Sequence, residues 1–252
     1  MTGVLPVALN DATKALQALL LAGKEYVGVM KLHREVPEDR LLEVMKEFQG
    51  VIYQRPPIRA SVKRRLRTRK IYRLQLLELD GKYALFRVAC EAGTYIRKLC
   101  VDIGEALGCG AHMQELRRVR SGPFTEDENL VTLQDLSDAV YAWKNEGDEE
   151  PLRRLVFPME KALSLLPRIV IRDSAVDAIC HGAQLAAPGV LMLDDGIKAG
   201  DKVVILTLKG EAVAISTALA ESREILEMRR GFVAKTERVL MKPGTYPKMW
   251  GS

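Results

Sequence analysis

The stretch "EAGTYIRKLCVDIGEALGCGAHMQELRRVRSGPFT", residues 91–125, decides how the first part of the chain folds. After the turn residues Gly93 and Thr94, apolar side chains recur at helical spacing, at Ile96, Leu99, Ile103 and Leu107. This spacing predicts a helix, and the residues after it, which end in a basic run, predict a strand. Tyr95 and Arg97 stand at the start of the helix, and no acid or nucleophile stands next to them.

Alternating segments and further helical patterns surround this stretch. Residues 71–90 form two alternating runs around Asp80-Gly81, which is a strong signal for a β-hairpin. Residues 24–33 alternate in the same way. Helical patterns cover residues 12–20, with Asn10 or Asp11 as the cap, and then residues 41–48, 132–145 and 151–166. Together they predict an α+β fold with a mostly antiparallel mixed sheet flanked by helices.

The pattern changes at Pro167. The segments that follow are shorter, alternate strongly and are separated by glycine turns. Several short strands of this kind predict a small β-barrel. We therefore expect two domains, residues 1–166 and residues 167–252.

The chain is basic, with a formal net charge of +5, and the excess is concentrated in one block. From residue 55 to residue 73 there is no Asp or Glu, and the basic residues are Arg55, Arg59, Lys63, Arg64, Arg65, Arg67, Arg69, Lys70 and Arg73. Such a block repels itself unless a polyanion lies against it. A solvated surface loop is the alternative interpretation, and binding of nucleic acid is the favoured one.

The four cysteines, at positions 90, 100, 109 and 180, are too far apart for a C-x-x-C metal pair and too few for a disulfide framework. We expect them to be core residues in a reducing compartment. No apolar run reaches the length of a membrane span, and the first residues lack the features of a signal peptide. The sequence predicts an intracellular, cytoplasmic protein without a metal or other cofactor.

Long segments of the chain resemble the TruB-type RNA pseudouridine synthases, and most closely the archaeal catalytic subunit of the box H/ACA guide-RNA particle. The segments are "TGVLPVALNDATKAL" (2–16), "KEYVGVMKLH" (24–33), "RPPIRASVKRRLRTRKIY" (55–72), "GTYIRKLCVDIGEALGCGAHMQELRRVRSGPF" (93–124) and "HGAQLAAPGV" (181–190). The resemblance covers nearly the whole chain. It implies a pseudouridine synthase fold followed by a PUA domain, and guided isomerisation of uridine to pseudouridine in rRNA and in some tRNA.

One motif departs from the family. The family carries a catalytic aspartate in a "GTLDP" stretch just before "TGVLP", whereas this sequence begins at Met1 within that motif. The resemblance therefore places the nucleophilic aspartate upstream of Met1, outside the sequence. Asp11, which suits a helix cap, and Asp102, for which a solvent-facing role is expected, are not candidates to replace it.

The resemblance also implies roles for four side chains. Arg97 matches the partner of the catalytic carboxylate, and Tyr95 matches a tyrosine beside the target base that can assist proton loss from C5. Tyr26 matches the tyrosine that stacks on the uracil, and Leu116 matches an apolar residue of the pocket. From the residues alone, ordinary structural roles for the two tyrosines and Leu116 stay open.

RNA contacts and partners follow from the same resemblance. Arg55 to Arg69 match a thumb loop that covers RNA, and the PUA domain would grip the guide RNA with basic residues such as Lys235, Arg238 and Lys242. The implied partners are a zinc-ribbon-like protein, a Gly/Arg-type small protein and a kink-turn-binding protein that acts through the RNA. Two alternatives stay open, an inactive RNA-binding scaffold and a stand-alone tRNA pseudouridine synthase.

Overall fold

The alternating runs form strands and the helical patterns form helices in a computed structural model, which describes residues 2–56, 65–128 and 130–249. The strands are β1 (Thr2–Gly3), β2 (Lys24–Leu32), β3 (Gly50–Gln54), β4 (Arg67–Asp80), β5 (Tyr83–Cys90), β6 (Ala111–Ser121), β7 (Phe124–Thr125), β8 (Arg168–Ile171), β9 (Leu185–Ala186), β10 (Val190–Leu193), β11 (Lys202–Leu206), β12 (Ala212–Ala218) and β13 (Phe232–Val239). The α-helices are α1 (Leu16–Leu21), α2 (Glu38–Glu47), α3 (Ile96–Ala106), α4 (Leu133–Glu146), α5 (Glu150–Leu155), α6 (Met159–Leu163), α7 (Asp173–Cys180) and α8 (Ser222–Glu227). Short 3₁₀ helices precede α1 and β10, at Asn10–Ala15 and Ala187–Gly189.

The chain divides into two compact units. The first consists of Met1–Pro6 and Leu20–Leu136, and the second consists of Val7–Leu19 and Ser137–Ser252. The first unit ends at Leu136, earlier in the sequence than the predicted domain boundary between residues 166 and 167. That boundary stays a prediction.

The first unit is built on a seven-stranded sheet. Its strand order is β1-β6-β2-β5-β4-β3, with β7 paired to β6, and only β1 runs parallel to its neighbour. The predicted hairpin is β4 and β5, and Gly81 in its turn has a φ of 52°, which glycine adopts without strain. Apolar side chains from β2, β4 and β5 pack against α2 and α3 and form the core of this unit. The result is the expected α+β architecture.

The second unit contains a six-stranded sheet in the order β10-β8-β11-β12-β13-β9. Its neighbouring strands are antiparallel, except that β11 and β8 run parallel. Apolar residues of these strands and of α7 form a second core, in which Ile169, Val203, Ile205 and Val213 are fully buried. The short strands after residue 167 thus form one sheet around one core.

Two local predictions are wrong. The predicted helix over residues 151–166 is two helices, α5 and α6, because Pro158 lacks the N–H that would continue the first helix and also restricts the residue before it. Neither Asn10 nor Asp11 is a helix cap: the capping position is Leu9, and the Asp11 carboxylate lies 3.3 Å from Lys14 Nζ.

Three of the four cysteines, Cys90, Cys100 and Cys180, are buried, and Cys109 is half-buried; all four thiols are free. This agrees with their expected place in the two cores. Within the described ranges, every helix is too short or too polar to cross a membrane.

Candidate active site

Tyr26 lies near the beginning of β2, between two partner strands. It pairs with Val88 of β5 on one side and with Arg118 of β6 on the other, and its ring packs partly against the apolar core. The Arg118 side chain lies close enough to the Tyr26 hydroxyl to act on its pKa. Burial raises the pKa of Tyr26 above its ordinary value, and the neighbouring Arg118 cation offsets part of that rise. The hydroxyl is therefore neutral at physiological pH.

Arg118 also holds the first residues of the chain beside Tyr26. Its Nε donates to the Val4 carbonyl at 2.5 Å, and its own carbonyl accepts from the Val4 N–H at 2.8 Å. Gly3 makes this approach possible, because a Cβ at that position would lie 2.1 Å from the Arg118 carbonyl oxygen. The segment "TGV" is thereby fixed next to the tyrosine.

A second cation, Lys24, lies at the same end of the sheet. Its Nζ donates to the carbonyl of Ala22 at 2.7 Å, and the pKa of Lys24 is lowered, first by burial and then by repulsion from Arg118. The Cys90 thiol lies close to this amine, and burial raises its pKa to about 11, so that it is not a nucleophile at neutral pH. Two cations beside Tyr26 favour an anion at this end of the sheet, either a carboxylate or a phosphate.

Tyr95 and Arg97 reach the same sheet end through the turn that follows β5. Tyr95 is half-buried and stands just before α3, where the Gln54 side chain is hydrogen-bonded to both its N–H and its carbonyl. Arg97 is exposed in the first turn of α3. In the parts of the chain that the structure describes, no carboxylate lies within 4.0 Å of its guanidinium. The guanidinium is thus available to an anion.

Leu116 is buried in β6, opposite Gly28 of β2. A Cβ on Gly28 would come within 2.9 Å of the Leu116 side chain, so the glycine makes room for it. Leu116 belongs to the apolar core, and its partner Gly28 stands two residues after Tyr26 on β2. Its place in a substrate pocket stays a prediction.

Asp102 is not the solvent-facing residue that the sequence predicts. Its side chain is 19% exposed and is paired with Lys98 one turn earlier on α3. Burial raises the pKa of Asp102, and the contact with Lys98 opposes that shift. Lys98 already neutralises this carboxylate.

The basic block divides into described and undescribed parts. Arg59, Lys63 and Arg64 lie outside the described residues. Arg55 and Arg65 are exposed, and Arg67 and Arg69 are half-buried in β4.

In the second unit, Lys235 and Arg238 are exposed on β13. Lys242 Nζ lies 3.7 Å from the Asp11 carboxylate.

The opposite face of the sheet carries an ionic cluster around Glu25. This side chain is 7% exposed, and its carboxylate accepts from Arg73 at 2.6 Å, Arg87 at 2.8 Å and Arg120 at 3.2 Å. Burial raises the pKa of Glu25, but the hydrogen bonds from Arg87, Arg73 and Arg120 outweigh it, and the net pKa is lower than usual. The cluster ties β2 to β4, β5 and β6 directly beside Tyr26.

Lys24, Arg118 and Gln54 were not predicted as site residues. The segment "KEY" contains Lys24, and the basic run after Leu116 contains Arg118, but a strand pattern does not show which basic residue turns inward. Gln54 ends an alternating segment and looks like an ordinary polar strand terminus. In the described residues, no group of three or more His, Cys, Asp or Glu side chains is placed to hold a metal ion.

One end of the sheet thus carries a half-buried tyrosine, two flanking cations and the described part of an arginine-rich block. Three family models match the chain: the TruB family pseudouridylate synthase N-terminal domain over residues 1–96, the tRNA pseudouridylate synthase B C-terminal domain over residues 97–164, and the PUA domain over residues 167–240.

Two relatives, both called "Probable tRNA pseudouridine synthase B", show the extent of the likeness. The protein from Methanopyrus kandleri is 62% identical over 251 residues, which are 100% of this chain and 74% of the relative. The protein from Pyrococcus furiosus is 58% identical over 250 residues, 99% of this chain and 74% of the relative. The chain belongs to the TruB family of pseudouridine synthases, which are isomerases, and it carries a PUA domain.

Solved structures agree with this assignment. A chain of the "Cbf5-Nop10-Gar1 Complex" superimposes with a TM-score of 0.93 at 58% identity, over 98% of this chain and 75% of that one. A chain of an "H/ACA RNP bound to a substrate RNA containing 2'-deoxyuridine" gives a TM-score of 0.92 at 55% identity, again over 98% and 75%.

Proposed function

We propose that this pseudouridine synthase modifies uridines selected by an H/ACA guide RNA, in rRNA and in some tRNA. The observation that carries the proposal is the likeness, with a TM-score of 0.92, to a chain of an H/ACA ribonucleoprotein bound to substrate RNA. In a guided particle, base pairing selects the uridine, and the protein binds the RNA backbone and carries out the reaction.

The isomerisation breaks the N1–C1′ bond of uridine, turns the freed uracil and joins C5 to C1′. C5 then loses its proton, N1 gains one, and no atom is lost from the nucleoside. The base must leave its helix or loop to reach the catalytic groups. An ionised carboxylate is required as the nucleophile or base that starts the reaction.

Each predicted side chain suits one step of this chemistry. Tyr26, paired with Arg118 in the sheet, presents a ring on which the displaced uracil stacks. Tyr95 assists the loss of the C5 proton, and Leu116 lines the apolar side of the pocket. Arg97, with no carboxylate near it in the described residues, pairs with the family's aspartate, lowers its pKa and orients it. That aspartate is the residue the resemblance places before Met1.

RNA is held by phosphate contacts that do not read its sequence. In the first unit these contacts come from the basic block, where Arg55 and Arg65 are exposed. In the second unit they come from Lys235 and Arg238, both exposed on β13. The predicted partners are a zinc-ribbon-like protein, a Gly/Arg-type protein and, through the RNA, a kink-turn-binding protein. The presence of Nop10 and Gar1 with the superimposed Cbf5 chain supports assembly with protein partners.

Two other functions make different predictions. A stand-alone tRNA synthase is favoured by the names of the relatives, which specify tRNA and no guide. A scaffold would bind RNA without isomerising it.

The deciding experiment measures tritium release from RNA labelled at uridine C5. The protein in all three reactions is the chain extended at its N-terminus by a segment that carries the family's "GTLDP" aspartate, because the carboxylate is required. The first reaction contains a matched guide RNA, its labelled substrate and the two small partners. The second has a mismatched guide instead, and the third contains labelled tRNA and no guide. Release only with the matched guide supports the proposal. Release from tRNA without a guide supports the stand-alone enzyme, and tight binding without release supports the scaffold.

Arg97→Ala tests the assignment of the site in the same assay. We expect the rate to fall about 100-fold, as when one preorganised charged group is removed from an active site, with little change in RNA affinity. Arg40→Ala, at an exposed position of α2 whose side chain pairs with Glu43, is the matched control and should leave the rate unchanged. Equal rates for the Arg97 variant and wild type would show that Arg97 is not in the site.

A further inference from the structure

Gln54 makes an unusual contact for the last residue of a strand. Its side chain is buried, with 2% of the residue exposed. Its Oε1 accepts from the Tyr95 N–H at 3.0 Å and its Nε2 donates to the Tyr95 carbonyl at 3.1 Å. One amide thus binds both backbone groups of a single residue 41 positions away.

This contact falls at a sensitive point of the backbone. Tyr95 precedes the first residue of α3 and has an extended conformation, with φ −92° and ψ 99°. Its N–H therefore has no partner within the helix, whereas its carbonyl also accepts from the N–H of Leu99. The Gln54 side chain supplies the bond that the helix start lacks, and no other partner for this N–H occurs in the described residues.

Neighbouring contacts hold the rest of the same turn against β4. Glu91 donates its N–H to the Lys70 carbonyl at 2.8 Å, and its carboxylate accepts from the Lys70 N–H at 3.0 Å. The Arg69 guanidinium lies against Gly93, where an added Cβ would be 3.2 Å from Nη2. Because Gln54 itself pairs with Arg67, the turn before α3 is fixed to the paired ends of β3 and β4.

We propose that Gln54 is a positioning residue for the isomerisation, which acts by fixing the Tyr95 main chain and so aiming Tyr95 at the uridine and Arg97 at the aspartate. This inference rests on the roles given to those two side chains above. Gln54 touches neither the substrate nor their functional groups. Its effect is on geometry, and displacement of a catalytic group by about 1 Å can reduce a rate about 100-fold.

The test uses three variants of the same N-terminally extended protein. Gln54→Met keeps a side chain of similar length but removes both hydrogen bonds to Tyr95. Gln54→Glu restores a donor and an acceptor only when its carboxyl group is protonated. Gln75→Met is the matched control, because Gln75 is exposed on β4 of the same sheet.

Two readouts are compared. The first is the single-turnover rate of tritium release, measured with the guided enzyme in saturating excess over substrate RNA, together with the RNA dissociation constant from a separate titration. The second is the ¹⁹F resonance of 3-fluorotyrosine placed at position 95 alone. For Gln54→Met we expect a rate about 10- to 100-fold lower, a dissociation constant changed less than about 3-fold, and a shifted, broadened resonance. Gln75→Met should behave as wild type, and Gln54→Glu should regain rate as the pH falls.

The results that would overturn the inference are specific. One is a folded Gln54→Met protein with the wild-type rate and the wild-type resonance. Another is a fall in rate that matches a loss of RNA affinity while the resonance at position 95 stays unchanged, which would show a role in binding. If the extended wild-type protein releases no tritium, the proposed function fails. The resonance then still decides whether Gln54 positions Tyr95.

Discussion

Strand β2 of the first unit and strand β12 of the second each lie between two hydrogen-bonded neighbours, but they bury different side chains. β2 carries Lys24, Glu25 and Tyr26, all at least half-buried and all in polar contacts. β12 buries Ala, Val and Ile almost throughout. The polar residue buried deepest in β12, Ser216, has no partner for its hydroxyl in the described residues, whereas Glu25 has three.

The difference shows what each strand has to hold. The buried side chains of β12 need only close packing, because the strand's polar contacts are main-chain bonds, mainly to β11 and β13, and the hydroxyl of half-buried Thr217. β2 has to present a tyrosine and a cation at one point, and the Glu25 cluster fixes its register against β4, β5 and β6. Stability of the first unit should therefore depend on charge, and that of the second unit on packing.

The largest expected effect is on packing in the second unit. Ile205 is fully buried in β11 beside β12, and Ile205→Ala should lower the free energy of unfolding by about 3 to 4 kcal/mol through lost burial and a cavity. The cost should be the same at pH 7 and pH 4, because no ionisable group is changed. Amide hydrogen exchange of β11, β12 and β13 in urea measures it. Leu208→Ala, at a position 60% exposed, is the control and should cost far less.

The next effect concerns Glu25. Glu25→Gln leaves Arg73, Arg87 and Arg120 without their common carboxylate, and we expect a loss of about 2 to 3 kcal/mol at pH 7. The value lies below that for a fully buried pair because the arginine side chains are 38% to 49% exposed and partly screened.

The Glu25 effect should depend on pH. The folded pKa of Glu25 lies below its unfolded value, so the carboxylate stabilises the fold above the unfolded pKa of about 4.3. That contribution is lost as the pH falls through the folded pKa, and the two proteins should converge in acid. Hydrogen exchange of β2 and β5 at pH 7 and pH 3 tests this, with Glu78→Gln, exposed on β4, as the control. A difference that persists unchanged at pH 3 would contradict it.

Local patterns were sufficient for much of the fold. The Asp80-Gly81 turn and the spacing of Ile96, Leu99 and Ile103 predicted the β4–β5 hairpin and α3, because the interactions that decide them lie within a few residues. The helix predicted through Pro158 was wrong because an apolar pattern can continue past a residue that the backbone cannot accommodate.

The site was predicted less completely, because its contacts join distant positions. Tyr26, Tyr95, Arg97 and Leu116 followed from resemblance, and their roles stay predictions. Glu25 looks solvent-facing in an alternating strand, since its arginines lie 48 to 95 positions away.

The smallest effect should appear in thiol labelling, which compares local opening of the two units. Cys90 ends β5 beside β2, and Cys180 is buried in the second core. Glu25→Gln should speed labelling of native Cys90 about tenfold, because weakening the sheet raises the population of the open state, and should leave Cys180 unchanged. Peptide mass spectrometry after timed exposure to iodoacetamide separates the two thiols, with Cys109, which is half-buried, as an internal reference. Equal acceleration at Cys90 and Cys180 would mean that opening of one unit opens the other. The ionic cluster would then support both units, and the contrast between β2 and β12 would not describe separate stabilities.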